Sequence, residues 1–125
     1  INVYVMKEVL NILESDYSDY YSYFNKTLKG CSLYAANISI MRDELYDEYC
    51  TFVFSFFDKL EVKLLEKHYY ISLTEEKAMH RIFGYIGELL MSTFITKKKH
   101  EGIRVKECTL LFNSKSRGND IAAIN

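Results

Sequence analysis

Leu33-Tyr34-Ala35-Ala36-Asn37-Ile38-Ser39-Ile40-Met41 decides how the rest of this chain is read. Ile38 and Ile40 alternate with Asn37, Ser39 and Met41. Successive side chains of a strand point to opposite faces, so the alternation predicts a strand, mostly buried. A second stretch, Ile103-Arg104-Val105-Lys106-Glu107-Cys108-Thr109-Leu110-Leu111-Phe112, alternates at first and ends as an apolar run. It too reads as a strand. Two strands alone make a marginal sheet. The expected class is therefore α/β and helix-rich, about four helices with two or so strands that join a sheet supplied from outside this chain. The alternative is a small helical bundle with a two-stranded appendage.

Working outward, the remaining segments carry helical spacing. Residues 42–68 form the longest helix, with Leu45, Tyr49, Phe52, Val53, Phe56, Phe57, Leu60 and Leu64 on one wide stripe. Asp43, Glu44, Asp47 and Glu48 crowd its start, and Lys59, Lys63 and Lys67 its end. That order suits the helix dipole, so the acidic group reads as a solvated N-terminus rather than a metal cluster. Upstream, Val5, Val9, Ile12 and Leu13 mark one helix. Asp16-Tyr17-Ser18-Asp19 starts another, with Tyr20, Tyr21, Phe24 and Leu28 at helical spacing and Lys29-Gly30 at its end. Downstream, Ser72-Leu73-Thr74-Glu75 fits a capping box, and a helix over 74–97 buries Ile82, Phe83, Ile86, Leu89, Leu90 and Phe94. Gly102 breaks the chain, and residues 113–125 form a polar tail.

With 125 residues the chain makes a single domain or part of one. Charged residues at 26% and apolar ones at 49% describe a globular chain. The net charge of −1 gives a polyanion no general attraction, so nucleic acid is not expected as a partner. Lys97-Lys98-Lys99-His100 is the one basic cluster and reads as cations at a helix C-terminus. Cys31, Cys50 and Cys108 make no zinc pattern with His68, His80 and His100. They read as small buried hydrophobes in a reducing compartment. No apolar run reaches membrane-spanning length. The chain begins with Ile, and we expect a piece of something longer.

Arg81-Ile82-Phe83-Gly84-Tyr85-Ile86-Gly87-Glu88-Leu89-Leu90 holds the candidate chemistry. A glycine inside a helix costs about 1 kcal/mol relative to alanine, so two of them suggest a close approach to the backbone. Arg81 and Glu88 fall nearly on one line, about 10 Å apart along the axis, with Gly84 beside it. Two readings stand: a charged pair flanking a bare patch that walls a ligand pocket, or a helix packed tightly on a neighbour with its charges at the wet edge.

Tyr34-Ala35-Ala36-Asn37-Ile38-Ser39-Ile40-Met41-Arg42-Asp43-Glu44-Leu45-Tyr46-Asp47-Glu48-Tyr49-Cys50 resembles the central signature of the DUF4422 family of bacterial glycosyltransferases, N-M-F-I-M-K-K-E-x-F-D-E-Y-C. Arg81-Ile82-Phe83-Gly84-Tyr85 resembles its R-V-F-G-F, and Glu88-Leu89-Leu90 its E-R-L; residues 14–28 resemble the helix before the strand. The resemblance spans roughly residues 10–112. Two positions depart: Met79 stands where the family often has Gln, and Leu89 where it has Arg. Members are longer, and this chain corresponds to their C-terminal half. The resemblance implies a GT-A-like fold and a transferase of capsular polysaccharide or lipopolysaccharide synthesis. Its donor substrate would be a nucleotide sugar and its acceptor a glycan or lipid-linked glycan, with the need for a divalent metal left open. It would work with the N-terminal half of the same protein, in the cytoplasm and peripherally at the inner face of the membrane. The implied roles are Glu88 as general base, Arg81 as charge stabiliser or holder of Glu88, Asn37 as the group orienting a sugar hydroxyl, and Gly84 as part of the substrate surface; no metal ligand is assigned. The competing class is a non-catalytic helical interaction module that docks a partner or self-associates.

Overall fold

The computed structural model describes residues 3–30, 38–66 and 81–108. Four helices are described: α1 (Val3–Asp16), α2 (Ser18–Lys29), α3 (Asp43–Glu66) and α4 (Ile82–His100). Val5, Val9, Ile12 and Leu13 are buried along α1, at the spacing that brings side chains to one face. Tyr17 separates α1 from α2 with non-helical backbone, φ −135° and ψ 48°. Its N–H still donates to the Leu13 carbonyl at 3.0 Å, and its carbonyl accepts from the Tyr20 N–H at 2.9 Å. The joint is thus one residue long. Tyr20, Phe24 and Thr27 form the buried line of α2. Gly30 ends α2 by donating to the Lys26 carbonyl at 2.9 Å.

Asp43 and Glu44 occupy the first turn of α3, where carboxylates meet the positive end of the dipole. Phe52, Val53, Phe56, Leu60 and Leu64 are its buried face. In α4 burial runs all round the helix from Leu89 to Phe94, which makes it the central element. It packs most extensively on α2; α3 also contacts α4, and α1 lies on α2 and α3. Aromatic rings fill the junction. Tyr20 stacks on Phe52 with centroids 3.8 Å apart, and Tyr49 meets Phe94 edge-on at 5.4 Å. The end of α4 is closed by Gly102 at φ 97°. Gly102 donates to Lys99 at 3.1 Å and Ile103 to Lys98 at 3.0 Å, the paired bonds of a glycine-terminated helix.

The α/β expectation, and the GT-A-like fold with it, is corrected: among the described residues the chain is all helical and contains no strand. Ile38 and Ile40 are exposed, Ile40 completely, in backbone without regular structure that leads into α3. Residues 103–108 are likewise irregular and mostly exposed. A period of two specifies a strand only where a neighbouring strand bonds the backbone and covers one face. No such neighbour exists among the described residues. Residues 33–37 and 109–112 of the two expected strands lie outside them, as do the capping box at 72–75, Met79 and the polar tail. Cys108 is exposed rather than buried, Cys50 is half-buried, both are free thiols, and Cys31 lies outside the described residues.

Candidate functional site

Arg81 stands immediately before α4 and accepts the Tyr85 N–H on its carbonyl at 3.1 Å. Its side chain is exposed and does not cap the helix. Gly84 and Tyr85 are exposed one turn on, and Glu88 is half-buried one turn further. Arg81, Tyr85 and Glu88 therefore form one line, with Gly84 beside it. The opposite side of the same turns, Ile82, Ile86 and Gly87, faces the core. Among the described residues no ion pair joins Arg81 to Glu88. Asn37 lies outside the described residues, so only three of the four expected site residues come together here.

Gly84 does not mark a close approach. A Cβ built there meets nothing within 4 Å, and Gly87 is the glycine turned inward. Gly84→Ala should consequently raise the unfolding free energy by about 0.5–1 kcal/mol, because alanine loses less backbone freedom on folding. Denaturant titration of the variant checks this. A loss of stability would mean that a neighbour does need the bare backbone.

A second polar constellation lies at the other end of α4, about 25 Å from Arg81 along the axis. Lys98 is 8% exposed, pairs with Glu48 of α3 and reaches Glu101 at 2.9 Å. Its ammonium lies 5.4 Å from the centroid of Phe94. Lys97 binds Glu101, approaches Asp19 of α2 at 3.9 Å and sits 5.0 Å above the ring of Tyr20. Tyr23 and His100 share a hydrogen bond of 3.0 Å. Three helices are thereby tied at one point. The sequence reading placed Glu48 and Lys98 among solvated, dipole-matched charges and missed this contact. A signal was present: Lys98 continues the line Gly87, Met91, Phe94 at helical spacing, all of it buried.

The tie has a pH signature. Burial, then the charges of Glu48, Asp19 and Glu101, push the Tyr20 hydroxyl well above the ordinary phenol range. Burial alone pulls Lys98 down, but hydrogen bonds to Glu48 and Glu101 more than offset it and hold the ammonium above its usual value. Both groups keep protons in the folded chain that the unfolded chain releases above about pH 10. Stability is therefore full below that range and is lost as pH rises through it. Unfolding midpoints between pH 8 and 11 should fall, and Tyr20→Phe, which keeps the stack on Phe52, should make the fall shallower. An equal fall in the variant would contradict the assignment to Tyr20.

Between α1 and α3, an open groove is lined by Asn11, Ser15, Asp16, Lys59 and Lys63. Lys59 is engaged there, 3.3 Å from Asp16 and 4.7 Å from the ring centroid of Tyr17. Among the described residues no three His, Cys, Asp or Glu side chains gather as metal ligands. No helix among them is long and apolar enough to cross a membrane.

The sequence model of one protein family, described as "Domain of unknown function (DUF4422)", matches residues 2–99. That span takes in the Arg81–Glu88 line and the Glu48–Lys98 contact. No curated protein and no solved structure matches the chain.

Proposed function

Because the chain belongs to the DUF4422 family, we propose that it forms part of a glycosyltransferase that moves a sugar from a nucleotide-sugar donor to a growing surface polysaccharide, capsule or lipopolysaccharide. The observation that carries the reading is the outward line of α4. Arg81 and Glu88 stand on that line two turns apart, beside the open surface at Gly84. Transfer with inversion needs a carboxylate to take the proton of the acceptor hydroxyl as its oxygen bonds to the anomeric carbon. The bond from that carbon to the diphosphate oxygen breaks in the same step, and positive charge must balance the leaving group. Glu88 is the base in this scheme, Arg81 the balancing charge, and Asn37 the group that orients a sugar hydroxyl. Such an enzyme acts in the cytoplasm at the inner membrane face on a glycan or lipid-linked glycan. It uses the N-terminal half that the family resemblance implies to hold the donor.

Calorimetry tests this division of labour. The intact protein should bind a uridine or guanosine diphosphate sugar, and residues 1–125 alone should bind none. An intact protein that binds no nucleotide sugar overturns the reading; binding by the isolated chain moves the donor site into these helices.

A second reading, a module that docks a partner or a second copy, is favoured by one feature. Phe54, Val62 and Leu65 are exposed on the outward side of α3. Sedimentation over a range of concentrations would show self-association if that face is its basis.

A further inference from the structure

We infer that Tyr85 is a stacking platform for a pyranose ring of the acceptor, an inference that rests on the transferase reading of the same helix face. Most aromatic rings of α2, α3 and α4 are packed into or against the core, Tyr20, Phe24, Phe52, Phe56 and Phe94 among them. Tyr46 and Phe54 of α3 and Tyr85 of α4 are exposed instead, and of these three Tyr85, at 45%, is the one that stands between Arg81 and Glu88. It follows Arg81 by four residues and precedes Glu88 by three, so both charged side chains are its neighbours across about one helical turn, with Cβ atoms roughly 5–6 Å away. At its side Gly84 contributes no side chain, and the space a Cβ would fill is open.

A pyranose presents two different surfaces. Its faces carry C–H bonds and are apolar, and its rim carries hydroxyls. An aromatic ring offers a flat apolar surface with electron density that attracts the slightly positive C–H groups. A guanidinium donates to hydroxyl oxygens, and a carboxylate accepts from hydroxyl hydrogens. A ring with an open place beside it, and a carboxylate one turn on, serve the face and the rim of one sugar together, while Arg81 on the other side of the ring is left to the diphosphate. A sugar on Tyr85 would also have its rim one turn from Glu88, where the scheme above needs the acceptor hydroxyl. Tyr85 is thus a positioning residue for the acceptor, and its ring rather than its hydroxyl does the work.

Saturation-transfer NMR on the intact protein tests this with methyl pyranosides of glucose, galactose, mannose and N-acetylglucosamine as probes. At least one should receive saturation at its ring C–H protons. Tyr85→Phe should keep the signal, and Tyr85→Ala should weaken binding about tenfold or more, the loss of one face contact. Because the residue is exposed, the thermal midpoint of Tyr85→Ala should match that of the parent. The inference is overturned if no pyranoside is saturated, or if Tyr85→Ala binds as the parent does. A protein that transfers sugar with an acceptor KM unchanged by Tyr85→Ala overturns the platform and leaves the transferase. A protein that holds pyranosides through Tyr85 but binds no nucleotide sugar supports the platform and overturns the transferase.

Discussion

Phe94→Ala should lower the unfolding free energy by about 3–5 kcal/mol, the range for truncating a fully buried aromatic side chain. Phe94 is 1% exposed and stands where three helices meet. Tyr49 of α3 touches its ring edge-on at 5.4 Å, Tyr20 of α2 stacks at 6.4 Å, and the Lys98 ammonium lies 5.4 Å from its centroid. Removing it empties the space that α2 and α3 close from two sides, and the flat stack of Tyr20 on Phe52 has little freedom to collapse into it. Domains of this size have about 5–15 kcal/mol in total, so the variant should be near the limit of folding. Phe54→Ala is the matched control. Phe54 is 64% exposed on the same bundle, and its truncation should change stability by no more than about 0.5 kcal/mol. Denaturant unfolding with an unchanged slope measures both. Equal costs for the two variants would mean that the bundle is not centred on Phe94.

Glu88→Gln should slow sugar transfer by about a hundredfold or more, the usual contribution of a positioned general base. The substitution keeps the size of the side chain and the helix around it, and it removes the proton acceptor. Circular dichroism of the variant should overlay that of the parent. The donor should bind equally well, because the diphosphate belongs to the other side of the scheme. A transfer rate within threefold of the parent would exclude Glu88 as the base.

The helices were legible because one-sided burial leaves a period of 3.6 in the sequence. Val5, Val9, Ile12 and Leu13 in α1 and Phe52, Val53, Phe56, Leu60 and Leu64 in α3 are buried as that period requires. Gly102 reads as a break and closes α4 with a positive φ. Ile38 and Ile40 misled because alternation describes a side-chain order, whereas a strand also needs a neighbour for its backbone. The GT-A-like expectation came from the family resemblance and needed that strand at its centre, so it fails with the strand among the described residues. The line Arg81–Glu88 followed from helical arithmetic alone. The role of Gly84 did not, since a missing Cβ has the same letter whether it admits a neighbouring backbone or leaves the surface open. Lys98 was hidden by its residue type: a lysine is expected at the surface unless a partner such as Glu48, fifty residues away in sequence, comes to meet it.

If the outward line of α4 serves sugar transfer, the intact protein must turn over a nucleotide sugar. Label can be followed from a panel of uridine and guanosine diphosphate sugars, with the intact protein and lipid-linked glycan acceptors. One labelled sugar should move to the acceptor with release of one nucleoside diphosphate per transfer, and Glu88→Gln should slow this about a hundredfold. Consumption of no donor in the panel, or a Glu88→Gln rate equal to that of the parent, would contradict it.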